Sequence, residues 1–512
     1  MNDLYELVSL ISKTKLKTGG LMDAVLEPGS RMAQLFDGIA SGQIYDDESA
    51  KVILEKKKKG DPVNLPSLKN KLKERLIDSV FLLDYKDGSF STRQKAFFEC
   101  YKKWAAAMIL LTRNSKAAGI DILEKLLRNT MRFEFTELSL DILRVLRLQY
   151  STIDGDMKKY EQVKAQFAQY RKIWEMENRA EDYYAEIMAH FTNSKSAKIE
   201  ITDLARKYYD ELAPFMEECA SFKLHLFGRL IHMLVYNTVN DYRNTALLCE
   251  DAVVFFDQKD YDSGLPLQVF YYNLIVCYLQ LQEFEKGRVI VEKADKYFEE
   301  GTFNWFKLRE LFFMLAMHTG HYDEAYELYQ IVTEHPKYKN QPSLIKEIWG
   351  IYKAYILYLI KIGQVSDHLV REKDRKFRVG KFISEMLTLS KDKRGMNISI
   401  LIVQILYGIA ERDYAQTGDR IEAIEKYCTR YLKENDTYRS NCFIKMLLQI
   451  PTGMFHRANV ERKAERYYKL LKKAPLEAAN QAHEIEIIPY EQLWELTLAT
   501  LSGKIVQTRS RN

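Results

Sequence analysis

Residues 320–336 read GHYDEAYELYQIVTEHP, and their spacing decides how the rest of the chain is read. Gly320 is placed to end one helix at a left-handed backbone position. Asp323 and Glu324 suit the electropositive first turn of the next helix, and Pro336 follows its end. Between them Ala325, Leu328, Tyr329 and Val332 stand at i, i+3, i+4 and i+7, which gives the helix one apolar face. Small Ala325 lets the preceding helix approach closely, and Tyr329 fills the wider space beyond it. The stretch predicts the second arm of a helix hairpin.

The same grammar returns upstream. In LIVCYLQLQEFEKGRVIVEKA, residues 274–294, Tyr278 precedes the turn, Phe284 follows it, Gly287 takes the close approach and Ala294 lies deeper. It is fainter in VYNTVNDYRNTALLCEDAVVFF, with Tyr236, Tyr242, Cys249 and Ala252. Aligning Tyr242, Phe284 and Tyr322 gives steps of 42 and 38 residues, within the range of helical repeats. These hairpins resemble the tetratricopeptide repeat family, whose helix pairs carry a loose L-G-x-x-Y, then G-x-Y-x-x-A, then aromatic, Ala and Pro pattern. Phe312, Ala316, Gly320, Tyr322, Ala325, Tyr329 and Pro336 match it in register. The steps exceed the family period of about 34, Gly287 replaces Ala, and outside 230–336 only fragments persist, such as TGDRIEAIEKYCTRYL at 417–432. The resemblance implies an all-α, TPR-like solenoid, a right-handed superhelix with a concave binding surface and no activity of its own.

Composition agrees with an all-α chain. Only 22 Gly and 10 Pro in 512 residues leave little turn chemistry for many short strands. Residues 1–86 are punctuated by KTGG, EPGS, SGQ and KKKKGDPVNLP, and they predict a small helical domain. Its apolar faces are Leu4, Leu7, Val8 and Ile11, then Met32, Leu35, Phe36 and Ile39, then Leu68, Leu72, Leu76 and Val80, with Asp46 or Asp47 capping a further helix. The solenoid is expected over 87–480. In 481–512, Tyr490, Leu493, Trp494, Leu498 and Leu501 predict a capping helix ahead of a tail.

Charge excludes little. The net +5 comes from 76 basic and 71 acidic residues, so any basic patch has to be local. Residues 1–86 hold 14 Lys/Arg against 13 Asp/Glu, which argues against nucleic acid as a partner of that domain. The most apolar segment, ISILIVQILYGIA at 398–410, is too short to cross a bilayer and contains Gln404. The N-terminus lacks the look of a secretory signal, and six cysteines without a C-x-x-C read as reduced thiols, so a cytoplasmic location is expected.

No Walker, Rossmann, G-x-S-x-G or H-E-x-x-H motif occurs, and no zinc-ligand spacing surrounds His225 and His232 or His318 and His321, so no catalytic, cofactor or metal residues are assigned. Glu217 with Glu218, and Asp46 with Asp47, read as solvated faces. Arg371, Lys373, Arg375, Lys376, Arg378 and Lys381 form a basic run that suits phosphate or an acidic partner, and equally suits a solvated loop. Projecting the resemblance places Asn237, Tyr272, Val276, Gln280, Glu310, Met314, Met317 and His318 on the concave face. A carboxylate clamp is disfavoured because Tyr272 and Glu310 stand where Lys and Asn are needed.

The reading that follows is a non-catalytic scaffold or adaptor that holds a protein or peptide in this groove. Two other classes stay open. One is a signal-responsive regulator, similar to bacterial TPR-containing regulators, whose solenoid controls residues 1–86; the other is a helical enzyme without short motifs.

Overall fold

The computed structural model describes residues 2–13, 27, 29–56, 64–81, 92–193, 198–376, 396–431, 438–476 and 486–502. Among these the chain is all-α, with no strand. It divides into two compact units, residues 1–174 and 175–512.

The first unit opens with α1 (Asn2–Lys13), α2 (Arg31–Ala40), α3 (Asp47–Lys56) and α4 (Leu65–Val80). The three anticipated apolar faces meet in one core: Leu4, Val8 and Ile11 lie with Leu35, Phe36 and Ile39 and with Leu72 and Leu76, and Ile44, Ala50 and Leu54 complete it. Gly38 is required there, since a Cβ on it would collide with Ile44. Asp46 caps α3 by accepting from the Ser49 amide at 2.7 Å. Next come α5 (Thr92–Thr112), α6 (Lys116–Arg132) and α7 (Thr136–Thr152), each packed on its neighbour in sequence. The 37-residue α8 (Met157–Asn193) then runs across the division between the units.

The second unit continues with α9 (Lys198–Glu218) and three consecutive hairpins. These are α10 (Phe222–Asn237) with α11 (Tyr242–Asp257), α12 (Gly264–Leu281) with α13 (Phe284–Ala294), and α14 (Phe303–Thr319) with α15 (Tyr322–Glu334). Each helix packs on the next, and α12 also packs on α14, so the first arms of the second and third hairpins are neighbours. Ala325 and Val332 are fully buried, and the close approach at Gly287 is to the next hairpin: a Cβ there would collide with Leu315 of α14, whereas Tyr278 of its own first arm stands at 3.7 Å.

One turn joins all three hairpins. Asn240, Gln282 and Gly320 have φ of 59°, 55° and 78°, and each stands two residues before its second arm. The residue after each donates its amide to a carbonyl five positions back, Asp241 to Tyr236 at 3.0 Å, Glu283 to Tyr278 at 3.0 Å and His321 to Ala316 at 2.9 Å. That is the Schellman closure of a helix C-terminus. It recurs at Asn114 and Glu134 in the first unit and at Arg412 in the second.

Beyond the hairpins lie α16 (Ser343–Lys361), α17 (Met396–Glu411), α18 (Tyr414–Tyr431), α19 (Tyr438–Leu447), α20 (Arg457–Lys472) and α21 (Tyr490–Leu501). A terminal cap would show one face to solvent. Instead α21 packs on α17, α19 and α20 and is covered on nearly every side, with Glu495 the exposed exception. No helix among the described residues is long and apolar enough to cross a membrane.

Candidate binding face

Along α12, Leu265, Val269, Tyr272, Val276 and Gln280 stand at i, i+4, i+7, i+11 and i+15, which puts them on one face. That face is open. Leu265 is 61% exposed and Val269 39%, and Tyr272, Val276 and Gln280 are half-buried. The opposite residues Leu267, Phe270, Leu274 and Cys277 are buried against the neighbouring helices. On α10 the face ending at Asn237 is likewise half-buried. Gln268 accepts from the Asn304 side chain at 3.3 Å, which ties α12 to the first turn of α14, where Phe303 is exposed.

Farther along α14 the same face is shut. Met314 and Met317 have no exposed surface, and Glu310 and His318 are buried. The projection onto one accessible surface is therefore corrected at these four residues. Glu310 takes an ion pair from Lys307 at 3.0 Å and faces the Tyr352 hydroxyl of α16 at 3.5 Å. His318 reaches the Glu486 carbonyl through Nε2 at 2.7 Å. A Cβ on Gly320 would meet the Gln492 side chain at 2.8 Å. The groups that meet this face are thus the chain's own, Tyr352 of α16 at Glu310 and Glu486 at His318, and residues 486–490 are themselves all buried.

A polar clasp holds that segment. Arg439 of α19 donates from Nε and Nη2 to Glu486 at 3.0 and 2.7 Å. From Nη1 and Nη2 it donates to Glu491 at 2.9 and 2.6 Å, and from Nη1 to the Ala474 carbonyl at 2.5 Å. All five guanidinium N–H donors are used, which is what allows a charge this deeply buried. Burial pushes the Glu486 carboxyl up while Arg439 pulls it down. Glu486 also accepts from the Tyr490 amide at 2.7 Å, and Tyr490 stacks on Phe443 at 4.4 Å. Tyr355 of α16 lies close enough to Tyr490 and Glu486 that burial and these neighbours drive its phenol far above the ordinary range.

The other sequence candidates are dispersed. Arg371 and Lys373 both pair with Glu334, Arg375 pairs with Asp367 at 3.2 Å and Lys376 with Glu372, so each described cation of the basic run meets an acid. Arg378 and Lys381 lie outside the described residues, as does most of the KKKKG run. His225 turns Nε2 to the Met216 and Cys219 carbonyls and stacks on Phe255 at 4.1 Å. His232 stacks on Tyr209 at 3.6 Å and His321 on Phe284 at 3.6 Å. Burial lowers both His225 and His232 to about 4, and the Arg229 charge adds to this at His225. Glu217 and Glu218 are exposed. Among the described residues no group of three His, Cys, Asp or Glu could hold a metal ion.

Sequence reasoning placed Tyr272, Val276 and Gln280 on this face but left out Leu265 and Val269, which the same spacing reaches when extended toward the start of the helix. A scan against protein-family models and searches of curated proteins and of solved structures find no match to this chain.

Proposed function

We propose that the chain is a cytoplasmic, non-catalytic adaptor built on TPR-like hairpins, and that it docks a protein or peptide on the first arms α10 and α12 and the opening turn of α14. The observation that carries this is the α12 stripe: Leu265 and Val269 are exposed, and Tyr272 and Val276 half-buried, on a helix whose other sides are packed. Apolar anchors with polar neighbours such as Asn237 and Gln280 are what a helix or extended peptide needs for affinity and orientation. The recurring Schellman turn supports the repeat assignment, and free thiols at Cys100, Cys249, Cys277 and Cys442, all buried, suit a reducing compartment.

The test is selection of a displayed peptide library on the full chain, followed by affinities on variants. Enriched peptides are expected to lose at least about tenfold in affinity with Val269→Glu/Val276→Glu, because an apolar anchor site would then carry charge. Peptides that bind both chains equally, or no enrichment at all, contradict the reading.

A further inference from the structure

The chain's net charge is +5, and seventeen residues account for it. Residues 457–473 hold seven Lys/Arg against Glu461 and Glu465, a net of +5, so the remainder of the chain is neutral. This segment is α20 with its C-terminal cap. Its inner face, Val460, Ala464 and Leu471, is buried and packs on α19 and α21. Arg462, Arg466, Lys469 and Lys473 follow at i, i+4, i+7 and i+11 on the opposite face, and all four are exposed. At 1.5 Å per residue they make a line of cations roughly 16 Å long.

The two flanks of this line differ. Glu461 and Glu465 lie on one side, and Glu465 reaches Lys469 at 2.7 Å. On the other side Lys463 donates to the Thr452 carbonyl at 2.5 Å, which brings the 452–454 turn alongside. Met454 in that turn is 85% exposed, and Leu470, seven residues after Lys463 on the same flank, is 40% exposed. The tyrosines beside the line are already covered, Tyr467 by Arg466 at 4.3 Å and Tyr468 by Lys472 at 4.5 Å.

We propose that the outer face of α20 docks on an anionic lipid bilayer. A row of cations on a folded helix matches a plane of acidic headgroups, and a flexible, exposed methionine with a leucine beside it supplies apolar groups for the interface. A nucleic-acid groove fits less well. It would bring phosphates to both flanks, one of which is acidic, and the rings that would stack on bases are capped by the helix's own cations. This surface is separate from the α12 face and stands without it.

Flotation of the full chain with vesicles tests the proposal. Phosphatidylcholine vesicles containing about 30% phosphatidylserine are expected to carry at least about tenfold more protein than phosphatidylcholine alone, and raising salt from about 0.1 to about 0.5 M is expected to release it. Arg462→Gln/Arg466→Gln/Lys473→Gln should lower binding by about a hundredfold, and Met454→Ser/Leu470→Ser should lower it several-fold while keeping the salt dependence. Circular dichroism confirms that the variants are folded. Equal flotation with both vesicle types overturns the proposal, as does binding indifferent to Met454→Ser/Leu470→Ser. A labelled DNA or RNA duplex that binds more tightly than the acidic vesicles, with the same arginine dependence, also overturns it.

Discussion

Helices α12 and α14 occupy equivalent places in successive hairpins, yet Tyr272 and Val276 are half-buried while their counterparts Glu310 and Met314 are sealed. Nothing in either helix explains this. Both are apolar on nearly every side, as a first arm packed between neighbours has to be. Helix α14 receives contacts from farther along the chain: Tyr352 of α16 faces Glu310, and the Glu486 carbonyl, 168 positions beyond His318, meets the His318 ring. Equivalent positions are half-open in one hairpin and sealed in the next, where groups from later in the chain reach them.

The largest effect on this contrast is expected from the clasp. Arg439→Met leaves the Glu486 carboxylate buried without its guanidinium and should cost about 3–5 kcal/mol, read as a shift in the urea midpoint. Arg439→Met/Glu486→Leu should regain most of that, because no uncompensated charge remains. If the single variant melts like the parent, the clasp does not hold residues 486–491 in place.

Truncations on the two faces should separate next. Met314→Ala removes a fully buried side chain and should cost about 2–5 kcal/mol, whereas Val269→Ala should stay within about 0.5 kcal/mol. Equal costs by thermal unfolding would erase the distinction between sealed and open.

A smaller, pH-dependent effect should stay in the first hairpin. His225 and His232 take up protons near pH 4 when folded and near 6.5 when unfolded. The unfolded chain therefore binds more protons between these values, and stability that is complete above about pH 6.5 is lost as pH falls toward about 4. Amide exchange at pH 5 against pH 7 should show α9–α11 loosening before α14 and α16. Loosening that starts at α14 would contradict this assignment.

The helices and the hairpin at 312–336 were legible because amphipathic spacing and Gly320 are local signals. The other turns were less so, since the left-handed position is filled by Asn240, Gln282 and Arg412, residues that do not announce it as glycine does. The α12 stripe was half visible: its period placed Tyr272 and Val276, but an almost wholly apolar helix does not reveal which side a neighbour covers. The sealed state of α14 was not legible. The groups that reach it come from far along the chain, Tyr352 of α16 and Glu486, the latter held by Arg439 across 47 residues. The charge of α20 was there to be counted and was hidden by the chain-wide near-balance.

The most direct test of the open and sealed faces is the rate at which a maleimide labels Val269→Cys and Met314→Cys in the native full chain, read by peptide mass mapping. The predicted result is rapid labelling at 269 and at least about a hundredfold slower labelling at 314, because the buried thiol reacts only through local opening. Comparable rates at the two positions would mean that Met314 is not sealed, and the division between an open and a self-filled face would fail.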